Sequence, residues 1–140
     1  MKTAALIPAR MDSTRFPGKM LAEIAGETVI ARTYRSVKAA GVFDAVYVVT
    51  DSVVIKNEIE SAGGKVFLSR KRHETGSDRI AEAAAALDFD VIVNVQGDEP
   101  FIKGEPLRKL VKLFDDPKTE CASLMQEITS KEDIENPNNV

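Results

Sequence analysis

Three short stretches of the chain gather the side chains that could do chemistry. The first runs Ile7-Pro8-Ala9-Arg10-Met11-Asp12-Ser13-Thr14-Arg15-Phe16-Pro17-Gly18-Lys19 and sets Arg10, Arg15 and Lys19 among Ser, Thr, Pro and Gly. Three cations on one loop suit a polyanion. Arginine grips phosphate oxygens through a planar fork, and lysine acts as a mobile point charge. Spacing alone equally allows a solvated loop with scattered charge. The loop is not a P-loop, because Met20 follows Gly18-Lys19 and Ser13 stands where the first glycine would be. It has no G-x-G-x-x-G fingerprint either, so the cations themselves must do any neutralising.

The third stretch, Asn94-Val95-Gln96-Gly97-Asp98-Glu99-Pro100-Phe101, follows an apolar run. A carboxylate directly after a buried strand is held rigidly at the sheet edge. Mg²⁺ takes hard oxygen ligands, commonly one or two carboxylates plus substrate phosphates. Asp98 is the better metal candidate and Glu99 the second. Gly97 lets the backbone come close to a ligand. The competing reading is a polar turn in which Asp98 or Glu99 caps the next helix.

The second stretch, Arg70-Lys71-Arg72-His73-Glu74-Thr75-Gly76-Ser77-Asp78-Arg79, leads into a helix. Backbone N–H groups and hydroxyls there can meet a base, ribose or phosphate. Capping by Ser77 or Asp78 can hold at the same time. His73 is the sole histidine, with no Cys or second His at ligand spacing, and reads as a loop residue. Cys121 lies in an apolar run and reads as packing.

These stretches need a scaffold, and the sequence supplies alternating strand and helix signals. Strands are expected at Thr3–Pro8, Ala45–Thr50, Lys65–Leu68, Val91–Val95 and Cys121–Ile128. Helices are expected at Thr28–Ala40, from Asp51 or Ser52 to about Ala62, at Ser77–Leu87 and at Pro106–Phe114. Continuous apolar strands alternating with helices argue for a parallel sheet covered on both faces. In such sheets ligands bind outside the carboxyl ends of the strands, which is where all three stretches fall. Residues 1–140 read as one domain, without linker or repeat. The polar run Ser130–Asn139 reads either as a frayed tail or as the approach to a further strand.

Composition narrows the class. Nineteen Lys+Arg against 22 Asp+Glu give a net charge of -3, which argues against general nucleic-acid binding. No apolar run is long enough to span a membrane. The start, Met1-Lys2-Thr3, lacks a signal peptide's apolar core, and one cysteine cannot form an internal disulfide. A cytoplasmic location is the expectation.

Cations, a Gly-containing turn and a carboxylate together fit a nucleoside triphosphate bound with Mg²⁺. Four stretches then carry a family resemblance: Ile7-Pro8-Ala9-Arg10, Ser13-Thr14-Arg15-Phe16-Pro17-Gly18-Lys19, Thr75-Gly76-Ser77-Asp78-Arg79 and Asn94-Val95-Gln96-Gly97-Asp98-Glu99-Pro100. In content and order they resemble the CMP-Kdo synthetases, the 3-deoxy-manno-octulosonate cytidylyltransferases. The Gln96–Pro100 motif discriminates: CMP-sialic acid synthetases share the first loop's character but differ here. Sugar-1-phosphate nucleotidylyltransferases carry a more Gly-rich first loop.

The resemblance implies a three-layer, Rossmann-like nucleotidyltransferase domain with a mostly parallel sheet, truncated at its C-terminus relative to the family. It implies CTP-dependent transfer of CMP to the anomeric hydroxyl of Kdo for lipopolysaccharide assembly, with release of pyrophosphate. By the same resemblance Arg10, Arg15 and Lys19 hold the triphosphate beside Ala9. Ser77 and Arg79 help frame the nucleotide, Gln96 lies near cytidine or sugar, and Asp98 binds Mg²⁺. Arg10, Lys19 and Asp98 are the expected catalytic set. The substrates implied are CTP and Kdo, and the full-length enzyme is expected to be a homodimer. Two rivals stay open: a cytidylyltransferase for another acidic sugar such as sialic acid, and a nucleotide-binding fragment without turnover.

Overall fold

The computed structural model describes residues 2–11, 19–69 and 76–116, with the backbone alone at 19, 76 and 77. Arg15, His73, Thr75, the expected strand Cys121–Ile128 and the polar run after it lie outside the described residues.

β1 (Thr3–Pro8) is buried at all six positions, as a central strand covered on both faces must be. Two further short strands follow: β2 (Glu23–Ile24) and β3 (Glu27–Thr28) pair antiparallel. Next come α1 (Val29–Ala39), β4 (Ala45–Thr50), α2 (Val53–Ser61), β5 (Lys65–Leu68), α3 (Gly76–Ala86), β6 (Val91–Asn94) and α4 (Gly104–Lys112). The main sheet has the order β5-β4-β1-β6, and each neighbouring pair is parallel. The expected α/β class is therefore observed.

The period-2 geometry of β1 divides the core between two faces. Ala5 and Ile7 join Val46, Val48 and Val93 under α1, α2 and α4. Leu6 points the other way and packs with Val49, Ile80 and Ala83, the last two from α3. Helices thus cover both faces of the sheet, giving three layers. In α1 the buried side chains Val29, Ile30, Thr33, Tyr34 and Val37 form a stripe at helical spacing. Four of these are apolar, and Thr33 is the exception. In α2, Ile55 and Ile59 are one turn apart and fully buried. Each such side chain contributes about 1.5–3 kcal/mol of burial.

The helix starts follow from side-chain chemistry. Thr28 caps α1, its hydroxyl accepting from the Ala31 N–H at 3.2 Å. Ser52 rather than Asp51 caps α2, accepting from the Ile55 N–H at 3.2 Å. Gly41, at φ +65°, follows the end of α1, where a left-handed residue releases the chain.

Several element ends differ from the sequence reading by one or two residues, three of them with consequences for local structure. α3 begins at Gly76, so Ser77 and Asp78 sit in its first turn rather than at its cap. α4 begins at Gly104, because Pro106 is tolerated anywhere in the first turn and does not have to open the helix. β6 ends at Asn94, one residue before the expected Val95. The β2–β3 hairpin is not foreseen. Its turn, Ala25-Gly26, takes φ +53° and +84°, the pair of positive angles that two-residue hairpins favour. Alanine seldom adopts that conformation, so the usual Asn-Gly or Asp-Gly signal is missing.

The cap of α1 also ties that helix to α2, because the Thr28 hydroxyl donates to Glu58 Oε1 at 3.1 Å. Thr28→Ala removes both bonds and is expected to cost about 1 kcal/mol, and up to ~2 kcal/mol. Urea denaturation checks this, with Thr28→Ser expected to stay close to the native midpoint.

Candidate functional site

In a parallel sheet every strand delivers its C-terminus to the same edge. β1 and β6 are neighbours, with Leu6 opposite Asn94. One further ladder bond, from Val95 N–H to the Leu6 carbonyl at 3.0 Å, extends their pairing past the strand end. On the other side of β1, the Ala9 N–H donates to the Val49 carbonyl at 3.0 Å. Pro8-Ala9-Arg10 and Gln96-Gly97-Asp98 therefore leave the sheet side by side. The chain order runs β1, β4, β5 in one direction and then returns to β6 on the far side of β1. That reversal is a topological switch point, the place where open α/β sheets hold ligands.

Gly97 sets how closely the two loops approach. A Cβ on it would lie 3.0 Å from the Pro8 carbonyl oxygen, 3.0 Å from Met20 Sδ and 3.2 Å from Ile30 Cδ1. Only hydrogen fits. The contact brings together three points of the chain: the end of β1, the turn after β6, and the single-turn 3₁₀ helix Lys19–Leu21. Arg10 lies two residues from Pro8, Lys19 is adjacent to Met20, and Asp98 is adjacent to Gly97. Three of the residues singled out from sequence thus branch from one packed junction. Ala9 is buried there, while the Arg10 and Asp98 side chains are exposed.

The turn after β6 is also fixed from below by α1. The Thr33 hydroxyl lies 2.7 Å from the Gly97 carbonyl, and the Ser36 hydroxyl donates to the Pro100 carbonyl at 2.7 Å. Sequence reasoning passed over both residues. A threonine and a serine inside a helix carry no motif, and the only available hint was a polar residue at 33 on the apolar stripe. Within the turn the Glu99 N–H donates to the Gln96 carbonyl at 3.2 Å, and the Ile102 N–H donates to that of Glu99 at 3.3 Å.

The capping alternative for Asp98 and Glu99 does not hold. The N-cap of α4 is Lys103, which makes no side-chain cap bond. Both carboxylates stand on the turn itself and are exposed. Among the described residues no group of three or more His, Cys, Asp or Glu could hold a metal ion unaided. One or two carboxylates at a sheet edge fit the Mg²⁺ pattern in which substrate phosphates complete the shell.

The remaining candidates are more dispersed. The Gln96 side chain is exposed, its amide donating to Asn94 Oδ1 at 3.4 Å. Ser77 is placed by its backbone in the first turn of α3. Arg79 is only 3% exposed, and its guanidinium lies 3.9 Å from Asp51 on the loop after β4, with Nε lacking a hydrogen-bond partner among the described residues. Its position ties α3 to the end of β4 on the opposite side of β1 from β6.

The family model for cytidylyltransferases matches residues 4–140. The chain belongs to the cytidylyltransferase family. It is 54% identical over its whole length to a 3-deoxy-manno-octulosonate cytidylyltransferase from Flavobacterium johnsoniae, of which it covers 59%. A protein of the same name from Christiangramia forsetii is 51% identical over 99% of the chain, which covers 57% of that relative. The chain thus spans less than two thirds of these relatives. Among solved structures, a CMP:2-keto-3-deoxy-manno-octonic acid synthetase complexed with CTP superposes with a TM-score of 0.80 at 34% identity, over 84% of this chain and 49% of that one. A cytidylyltransferase from Leptospira borgpetersenii gives a TM-score of 0.73 at 29% identity, over 84% and 50%. Among the described residues of the chain, no helix is long and apolar enough to cross a membrane.

Because two of the atoms crowding residue 97 are a backbone carbonyl and a packed thioether, Gly97→Ala is expected to destabilise the fold by about 1–3 kcal/mol. A lowered urea midpoint with an unchanged slope is the signature. Native stability in that variant would show that the junction yields easily.

Proposed function

We propose that this chain holds the triphosphate of CTP over the ends of β1 and β6, and that the protein transfers CMP to Kdo. The observation that carries this is the Gly97 junction, which puts the Arg10, Lys19 and Asp98 segments at one switch point in a cytidylyltransferase fold. The choice of CTP and Kdo follows from relatives that carry the Kdo cytidylyltransferase name at 51–54% identity.

In the reaction, the anomeric hydroxyl oxygen of Kdo attacks the α-phosphorus of CTP. The new P–O bond forms as the bond to the pyrophosphate oxygen breaks, and the hydroxyl proton is lost to solvent or a base. Charge builds on the leaving pyrophosphate, so cations placed before the reaction lower the barrier without reorganising. Arg10 and Lys19, with Arg15 on the same loop, meet the outer phosphates beside buried Ala9. Asp98, with Glu99 next to it, would hold Mg²⁺, and the bound ion would supply charge screening of the phosphate oxygens. Gln96 faces the cytidine or the sugar. Ser77, in the first turn of α3, helps frame the nucleotide, and Arg79 supports that turn through Asp51. The proposal extends to a homodimeric enzyme working in the cytoplasm, its product serving lipopolysaccharide assembly.

Incubation with CTP, Mg²⁺ and Kdo, beside sialic acid as competitor, tests the reading by product analysis. CMP-Kdo with pyrophosphate is the expected outcome, and preferential coupling of another acidic sugar would contradict the Kdo assignment. Arg10→Ala and Lys19→Ala are each expected to weaken CTP binding by roughly 1.5–3 kcal/mol and CMP binding by less. Equal losses for both nucleotides, measured by calorimetry, would remove that residue from the outer phosphates. Asp98→Asn is expected to abolish the Mg²⁺-dependent gain in CTP affinity while leaving the urea midpoint near native.

A further inference from the structure

We propose that Thr33 is a positioning residue for Asp98, acting with Ser36 through the backbone of the turn after β6. Thr33 is fully buried in the middle of α1. Its hydroxyl has one proton and two acceptors in reach: the Val29 carbonyl one turn back at 2.9 Å and the Gly97 carbonyl at 2.7 Å. A helical threonine needs only the first of these. The second, shorter contact crosses 64 residues of sequence to the peptide unit that joins Gly97 to Asp98. Ser36, one turn further along α1, takes the Pro100 carbonyl at 2.7 Å. Asp98 is thereby spanned by two anchored carbonyls, one on each side. A Cβ on Gly97 would lie 3.0 Å from the Pro8 carbonyl oxygen and 3.2 Å from Ile30 Cδ1 of α1, so the glycine lets the turn pack closely there. The turn cannot lift from α1 without losing both hydroxyl contacts. A carboxylate on such a turn has its backbone fixed before any ligand arrives, which is what an ion-binding geometry with strict angles requires.

This role rests on the reading of Asp98 as the Mg²⁺-holding residue, so the test carries both. Calorimetry measures CTP affinity with and without Mg²⁺ in the native protein and in Thr33→Val, Thr33→Ser, Ser36→Ala and Asp98→Asn. Valine keeps the shape and loses the hydroxyl, while serine keeps the hydroxyl. Thr33→Val is expected to lower the Mg²⁺-dependent gain roughly three- to tenfold, corresponding to loss of one hydrogen bond. Metal-free CTP affinity is expected to stay within about twofold, and Thr33→Ser to restore the gain. Ser36→Ala, at a half-buried position, is expected to lower the gain in the same direction and supplies the answer if Thr33→Val does not fold. Native Mg²⁺ dependence in both Thr33→Val and Ser36→Ala, beside its loss in Asp98→Asn, would overturn the positioning role alone. Thr33→Ser behaving like Thr33→Val would also overturn it, since packing and not the hydroxyl would then matter. Unchanged Mg²⁺ dependence in Asp98→Asn would overturn the metal reading and this role with it.

Discussion

A missing side chain at residue 97 governs the arrangement. A Cβ there would lie 3.0 Å from a backbone carbonyl and from a packed thioether, a contact that needs the neighbours to give by a few tenths of an ångström. The cationic segment and the carboxylate segment come from opposite ends of the described chain, and this contact is where they meet. The sheet supplies the coarse alignment through parallel pairing of β1 with β6. The glycine supplies the last ångström, and the hydroxyls of α1 hold it. Interiors packed to crystal-like density transmit such constraints well, because neighbouring atoms have little room to give.

The division of labour between buried and exposed parts follows from the cost of desolvating charge. β1 is buried on both faces and carries no charged residue, so the strand itself can take no part in binding an anion. Charge begins at Arg10, two residues past Pro8, where the backbone has left the sheet. The same holds for β6: Val91 and Val93 are buried, Asn94 and Gln96 are exposed, and the carboxylates follow. A polar site at a sheet edge can therefore sit a few residues from a dry core without leaving an unpaired charge inside it. Arg79 is the departure. It is buried beside Asp51, at the end of β4, where an ion pair offsets part of its desolvation.

Much of this was legible in the residues. Long apolar strands and cap signals such as Ser52 located the four main strands and four helices to within about two residues, since those signals are local. The three post-strand stretches were recognisable because a parallel sheet brings every strand's C-terminus to one edge. Other features lay beyond a linear reading. The Ala25-Gly26 hairpin turn lacks the residue that usually announces it. The role of Thr33 depends on a contact with residue 97 that no periodicity reveals. The burial of Arg79 depends on Asp51, in a different β–α connection. In each case the missing information is tertiary: which loop lies opposite a given side chain.

The most direct measurement is a structure of the protein with CTP and Mg²⁺ bound. The account predicts the triphosphate lying over the ends of β1 and β6, with Arg10 and Lys19 on its outer phosphates. It also predicts the ion between those phosphates and the Asp98 carboxylate, and a turn at residues 96–100 that does not move on binding. A triphosphate seated over β4 and β5, or an ion remote from Asp98, would contradict it.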